Sequence, residues 1–473
     1  MILTKYYIVY QKKNESYLLI NTLTCKILEV DKVFIDEFAK AQNGRFDEIE
    51  PQVKEILTHN NFLYNSLGEE QRIIEEAYEK YKLSLNKLPL TNFIFLTYDC
   101  NLRCTYCCYR YLDREVPVMN KELMDNMFHV MSTLQEEKQK LVSSIVLSGG
   151  EPLMPENEEE VRYFFDKLEA FVTQEEKHGR KVVSSIFTNA TNITYFENFL
   201  RQKKHLVDMV YVTLNGPKEI HDKHRIHRDK KGSFDMTVAG IDRLLEIGIP
   251  TWTVANVGKD NVQDLSQLSK LVKEMGWKEN PIFQGIYISR IKNHKKEDKI
   301  TIAEHEMVEI IVDLVKNGEI DIKDFNFGDL RLLRVIMDFI VCAQNKEQGK
   351  EMILQFSGCN NRASQYSYSV DGRMYPCAPS MGIPQYATGT FYPEINLKNI
   401  DKSNWLDRLL PSIGKCKDCN VAFLCGGGCT FEAIEKNNDV DNPVCVKADK
   451  ILNTFLSALE NNIKIVHDDI LYK

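Results

Sequence analysis

The spacing of apolar positions changes along the chain, and each change marks a region. Over residues 1–85 two short runs suit strands, Tyr6–Tyr10 and Tyr17–Ile20. Helical spacing follows at Val33, Phe34 and Phe38 and again at Val53, Ile56 and Leu57, before Phe62 and Leu63. Glu69–Lys87 reads as a charged helical connector. From residue 86 to about 300, short runs rich in β-branched and aromatic residues recur at Phe93–Tyr98, Ile145–Leu147, Val182–Phe187, Met209–Leu214, Thr251–Val254 and Ile282–Ile288. Helix-length amphipathic stretches separate them. Six strand–helix alternations predict an α/β fold with a parallel sheet, and six units instead of eight predict a partial (β/α)6 barrel of TIM type.

In such a barrel the chemistry gathers at the C-terminal ends of the strands. Cys100–Cys107 follows the first run, Ser148-Gly149-Gly150-Glu151-Pro152 the second, Thr188-Asn189-Ala190-Thr191 the third and Asn215-Gly216 the fourth, so the unusual motifs are predicted to share one rim. Residues 301–355 return to helical spacing, at Met307, Ile310, Ile311 and Leu314 and then at Leu330, Leu333, Val335 and Ile336. Over residues 356–473 periodicity fades while seven cysteines crowd between Gly358 and Cys445, which suits a loop-rich domain held by metal sites. The N-terminal region resembles a small winged helix. Its 11 Lys and Arg against 14 Asp and Glu give no basic face for DNA, so a peptide partner fits better.

At 473 residues the chain has room for about three domains. Its net charge of −8 gives no reason to expect nucleic acid or an anionic membrane as partner. No apolar run reaches the roughly 18 residues needed to span a bilayer, and the start lacks a signal-peptide core, so a cytoplasmic location is expected. Thirteen cysteines in a reducing compartment read as metal or redox chemistry. Cys100-x3-Cys104-x2-Cys107 offers three thiolates in one loop, which leaves one iron of a cubane cluster open to a further ligand. Structural zinc wants four ligands, and Cys108, adjacent to Cys107, is badly placed to be the fourth; it is expected to point away.

This loop resembles the defining motif of radical S-adenosylmethionine (SAM) enzymes. Gly149-Gly150-Glu151 resembles that superfamily's glycine–glycine–glutamate element, whose backbone and carboxylate receive the amino group of the cofactor's methionine moiety. Tyr106 matches the aromatic position near the adenine, and Thr213 and Asn215 correspond to the ribose and carboxylate region, with Asn189 on the same rim. His221-Asp222-x-x-Arg225 resembles the element whose arginine pairs the cofactor carboxylate, a task suited to a guanidinium fork. Asn215 stands where many relatives carry Asp, and Ala190 where many carry Gly. His221, His224 and His227 are expected to be ordinary loop residues.

The spacing Cys359-x12-Gly372-x4-Cys377, then Cys416-x2-Cys419-x5-Cys425-x3-Cys429-x15-Cys445, is similar to the SPASM extension of peptide-modifying radical enzymes. By that resemblance Cys416, Cys419, Cys425 and Cys445 hold one fully ligated auxiliary cluster, and Cys359, Cys377 and Cys429 hold the other. Cys342 either completes the second set or is a buried core cysteine. If that site is open, a substrate cysteine can coordinate the iron. The resemblance therefore implies SAM and three [4Fe-4S] clusters as cofactors. It implies as partners a ribosomally made precursor peptide, its leader bound by the N-terminal domain and its core cysteine near the first auxiliary cluster, and a reductant such as flavodoxin or ferredoxin. The implied activity is closure of a Cys sulfur-to-carbon thioether, as in sactipeptide or ranthipeptide maturation. Anaerobic sulfatase maturases share the twin-cluster domain, but they typically place an Asp after the cysteine of Gly-x4-Cys, where this chain has Ala378. Peptide epimerases and carbon–carbon cross-linking enzymes use similar scaffolds. A non-catalytic iron–sulfur regulator would show a basic recognition helix and no cofactor elements, the reverse of this chain.

Overall fold

A computed structural model describes residues 1–109, 111–112, 115, 117–291, 300–344, 351–359, 364–398, 400 and 408–460. In the N-terminal module β1 (Ile2–Leu3) pairs antiparallel with β5 (Leu63–Tyr64), while β2 (Tyr7–Gln11), β3 (Tyr17–Asn21) and β4 (Lys26–Val30) form an antiparallel sheet. The sequence pattern missed β4 because Lys26-Ile27-Leu28-Glu29-Val30 buries none of its residues fully. Helix α1 (Lys32–Gln42) starts where the Asp31 side chain accepts from the Phe34 amide, and α2 (Pro51–His59) where Glu50 accepts from Val53 with proline in the first turn. Leu19, Phe38, Leu57 and Phe62 close a small core between them.

Helix α3 (Leu67–Asn86) is the connector, and its Tyr78 and Tyr81 rings lie 5.0 and 5.5 Å from Phe356. The module also sits against the last third of the chain. Asn420 Nδ2 donates to the Tyr7 carbonyl at 3.1 Å, Thr22 Oγ1 donates to the Asn420 carbonyl, and the Tyr6 and Phe423 rings are 5.1 Å apart.

The six central runs form parallel strands in chain order: β6 (Leu90–Phe95), β7 (Val142–Ser148), β8 (Lys181–Thr188), β9 (Met209–Thr213), β10 (Thr251–Val257) and β11 (Phe283–Arg290). β6 ends three residues before the apolar run does, because Leu96, Thr97 and Tyr98 are buried as loop. The crossovers carry α4 (Lys121–Glu137), α5 (Glu158–Lys177), α6 (Ile193–Lys203), α7 (Lys218–His224), α8 (Phe234–Ile247) and α9 (Leu265–Glu274). Their buried faces follow the 3.6-residue period, as with Leu123, Met124, Met127, Met131 and Leu134 on α4.

The bridge contributes α10 (Glu304–Lys316), the two-residue β12 (Phe325–Asn326), which pairs parallel with β11, and α11 (Arg331–Gln344). At the opposite edge β13 (Gln365–Tyr368) pairs parallel with β6, and β14 (Arg373–Tyr375) and β15 (Gly389–Thr390) continue antiparallel, making ten strands. The sheet thus runs through the boundary expected near residue 356. Short helices α12 (Ala422–Cys425) and α13 (Thr430–Asn437) precede α14 (Ala448–Glu460), which packs back on α10 and α11. Among the described residues no helix is long and apolar enough to cross a membrane.

Candidate active site

The strand ends build the site. Gly149 takes φ +122°, and a Cβ there would lie 2.6 Å from the Thr97 carbonyl oxygen; one on Gly150 would lie 1.9 Å from that of Asp99. Only glycines let the end of β7 lie so close to the loop leaving β6. Two bonds stitch them, Gly150 N to Thr97 O at 2.9 Å and Glu151 N to Asp99 O at 2.8 Å, immediately before Cys100.

The Glu151 carboxylate, 1% exposed, accepts from Thr188 Oγ1 and the Asn189 amide, each at 2.7 Å, and from the Leu153 amide at 3.0 Å. It therefore pins the ends of β7 and β8 together. Burial raises its pKa, and these three donors pull the other way. Asn189 reaches on to Asn101 Oδ1 at 2.7 Å. Ala190 adopts φ +62° without glycine's freedom, a conformation that costs an L-residue about 1 kcal/mol.

The cysteine loop is held from its other side by the segment after α7. Arg103 N bonds the Ile226 carbonyl at 2.7 Å, Thr105 N the His224 carbonyl at 3.0 Å, and Thr105 Oγ1 lies 2.7 Å from His224 Nδ1. The loop histidines thus act as scaffold. Arg225, 5% exposed, donates through Nη1 to Tyr106 Oη at 3.1 Å, and Asn215 Nδ2 donates to the same oxygen at 3.0 Å. Burial opposes the Arg225 charge, but Tyr106, Cys104 and Cys100 outweigh it and hold its pKa above the ordinary value. Its Nε is buried with no partner.

A cavity of about 440 Å3 opens over this rim. Of the residues expected from the sequence, Cys100, Cys104, Cys107, Tyr106, Gly149, Gly150, Glu151, Asn189, Thr213 and Arg225 all line it. Asn215 stands behind Tyr106 and accepts from the Asn256 amide at 3.1 Å. Cys108, expected to point away, lines the cavity too. Burial pushes the Cys100 thiol up to about 12, so it needs a cation to become a thiolate. The donor set and the partnerless guanidinium nitrogen fit an iron–sulfur cluster beside a carboxylate-bearing cofactor.

The later cysteines fall into two groups in space. Cys359, Cys377 and Cys429 line a second cavity of about 350 Å3. Burial is the first cause of the raised Cys377 pKa, and the thiols of Cys359 and Cys429 add to it. Cys416 is raised to about 11 by burial and then by Cys425, Cys419 and Cys445. Cys342 does not line the cavity of the first set; it faces another with Cys25 and Met352, whose sulfurs are 3.4 Å apart. Among the described residues no three Cys, His, Asp or Glu side chains converge on a single metal ion.

Sequence reasoning missed the wall between the cavities. Phe93, Arg290, Asp329 and Pro379 line both. Arg290 Nη2 donates to Glu432 Oε1 at 3.3 Å and Nη1 to the Ile302 carbonyl at 3.2 Å, while Asp329 Oδ2 accepts from Ser289 Oγ and the Arg290 amide, each at 3.2 Å. The strand-end rule, applied to the sixth strand, points to Ser289 and Arg290; nothing local marks Asp329.

Residues 94–272 match the Radical SAM superfamily. A cysteine-type anaerobic sulfatase-maturating enzyme of Clostridium novyi (strain NT) is 26% identical over 375 residues, 77% of this chain and 92% of that protein. The structure of native anSMEcpe with bound AdoMet and Kp18Cys peptide superposes with TM-score 0.59 at 20% identity, over 80% of this chain and 100% of that one. Streptococcus suis SuiB bound to precursor peptide SuiA superposes with TM-score 0.50 at 16% identity, over 92% of this chain and 97% of its own. With three cysteines, a glycine–glycine–glutamate turn and a buried arginine on one rim of parallel strands, residues 94–272 form a radical SAM domain.

Proposed function

We propose that the chain is a radical SAM maturase of a peptide or protein, and that its product is a sulfur-to-carbon thioether in a ribosomally made precursor. The observation that carries this reading is the shared wall: a side chain lying against Phe93, Arg290, Asp329 and Pro379 faces the SAM-type loop on one side and Cys359, Cys377 and Cys429 on the other. A cluster held by Cys100, Cys104 and Cys107 would supply, once reduced, the electron for reductive cleavage of SAM.

The protein's part is holding and excluding. Cys100, Cys104 and Cys107 hold the first cluster in this reading. Glu151 keeps the ends of β7 and β8 in register, so that the glycine turn presents its backbone to the cofactor's ammonium. Arg225 offers the methionine carboxylate its unpartnered Nε, while Tyr106, fixed by Asn215 and Arg225, bounds the adenine side. Cys359, Cys377 and Cys429 form a set of three, a reading supported by the separate cavity of Cys342, and the remaining position suits a substrate thiolate. Cys416, Cys419, Cys425 and Cys445 close the outer cluster. The N-terminal module, seated on residues 417–423, is assigned the precursor's leader, and flavodoxin or ferredoxin the role of reductant.

A second reading, an anaerobic sulfatase maturase, is favoured by the Clostridium novyi relative. Ala378 argues against it, since it puts a methyl where those enzymes place a carboxylate. One anaerobic experiment separates the two. The reconstituted chain is given dithionite, SAM and either a cysteine-containing candidate precursor peptide or a sulfatase-derived peptide. The proposal expects 5′-deoxyadenosine and a precursor lighter by two hydrogens that keeps its sulfur and resists thiol alkylation. Turnover of the sulfatase peptide alone replaces it with the second reading.

A further inference from the structure

The link between the two late thiol sets is Cys425-Gly426-Gly427-Gly428-Cys429. All three glycines adopt positive φ, +70°, +83° and +70°. This turn directs the amides of Gly427 and Gly428 onto the Cys425 sulfur, and its carbonyls point the other way. Those carbonyls are taken by one side chain: Arg408 donates through Nη2 to Gly427 O at 2.6 Å and through Nη1 to Gly428 O at 3.1 Å. Arg408 is 3% exposed, its Nε is buried without a partner, and among the described residues no carboxylate hydrogen-bonds to it. Thiols of both sets bear on its charge, Cys416 from one and Cys429 and Cys359 from the other, together with the Asp441 carboxylate. A buried guanidinium so placed has no hydrogen-bonded carboxylate to offset it, and the thiols beside it become its nearest further counter-charges once they are thiolates. Cubane clusters held by thiolates are net negative and become more so when they gain an electron, and the net charge around them is one determinant of their potential.

We propose that Arg408 is the shared counter-charge of both auxiliary clusters, a fixed cation on their covalent link that favours the reduced form of each. The inference rests on the twin-cluster reading above. Reduction here adds one electron to a cluster and moves no proton. Because the charge faces both sets, removing it shifts both midpoints in the same direction, toward more negative potential. Arg408 is a positioning residue: it touches neither SAM nor substrate.

The test is an anaerobic redox titration of the reconstituted full chain, followed by electron paramagnetic resonance, with iron counted for each protein. Wild type should hold about twelve irons per chain, and about four would sink the twin-cluster reading and this inference with it. Given twelve, Arg408→Gln should move both auxiliary midpoints negative by about 59 mV, a tenfold change for a one-electron couple. Arg408→Lys, which keeps the charge but loses the fork, should stay near wild type. The exposed control Lys436→Gln should shift neither cluster. A shift of one cluster only, or of none, in Arg408→Gln overturns the proposal. Should Arg408→Gln lose iron instead, retention by Arg408→Lys supports the charge role. Equal loss in both variants assigns Arg408 to packing alone and overturns it.

Discussion

Alanine at Gly150 would put a methyl carbon 1.9 Å from the Asp99 carbonyl oxygen, and both groups are backbone. To reach even 3.0 Å the two segments must part by about 1.1 Å, and neither is a flexible side chain. Parting them breaks the 2.8 Å bond from Glu151 N to Asp99 O and displaces Cys100, the next residue. A misplacement of about 1 Å near reacting groups costs on the order of 10²-fold in rate, or about 2.7 kcal/mol of barrier. Gly150→Ala should therefore lower 5′-deoxyadenosine formation about a hundredfold, measured by mass spectrometry under dithionite with iron content matched to wild type. Gly179→Ala is the control: at φ +71° with open space around its Cβ, it should cost about 1 kcal/mol of stability and leave SAM cleavage intact. Cleavage by iron-replete Gly150→Ala within about threefold of wild type would refute the claim that this close approach sets the site.

Three further outcomes are expected. Glu151→Gln turns an NH2 toward one of three donors and leaves a buried N–H unsatisfied, so stability should fall by about 1–3 kcal/mol in urea titrations, with SAM affinity falling alongside. Glu175, fully buried, holds Arg180 through two bonds of 2.5 and 3.1 Å; Glu175→Ala should cost about 2–3 kcal/mol, and the Glu175→Ala/Arg180→Ala pair less than the sum of its singles, with additivity counting against the pair. Burial, and then Arg225, hold the His221 pKa well below its ordinary value. The folded chain thus refuses a proton that the unfolded chain accepts below about pH 6.5, so stability should fall by about 1 kcal/mol between pH 6.5 and 5.5. His221→Gln should remove that part of the slope, and an unchanged slope would show that His221 is not its source.

The parallel sheet was legible because β-branched and aromatic runs and amphipathic helices alternate in lengths that suit it, and because punctuation such as Gly149-Gly150 follows the runs directly. That the three cysteines after β6 share a rim with Gly149, Gly150 and Glu151 was legible because each motif directly follows a strand. Edge strands were not: β12 has two residues, and Gln365-Tyr366-Ser367-Tyr368 carries too short an alternation to stand out from loop. Asp329 and Arg408 lay beyond reach for another reason. Each acquires its meaning from partners on other segments, Ser289 for Asp329 and the glycine link for Arg408, and no periodicity records such pairings. Cys342 likewise lines a cavity with Cys25, which the N-terminal module brings to it from more than three hundred residues away.

The pairing of β13 with β6 bears on how such a protein can be cut or recombined. Four consecutive residues, Gln365 to Tyr368, lie in register with Thr91 to Ile94, so the cysteine-rich region supplies the neighbour of the barrel's first strand. Ending the chain near residue 355 would strip that strand of its partner and leave a row of bare amides and carbonyls beside Cys100, an invitation to aggregate. A chimera that grafts the cluster-bearing region onto a different barrel must bring β13 along with a first strand shaped to receive it. The two regions are thus inherited as one piece of sheet, and any exchange that respects only the cysteine spacing will cut through hydrogen bonds that both halves need.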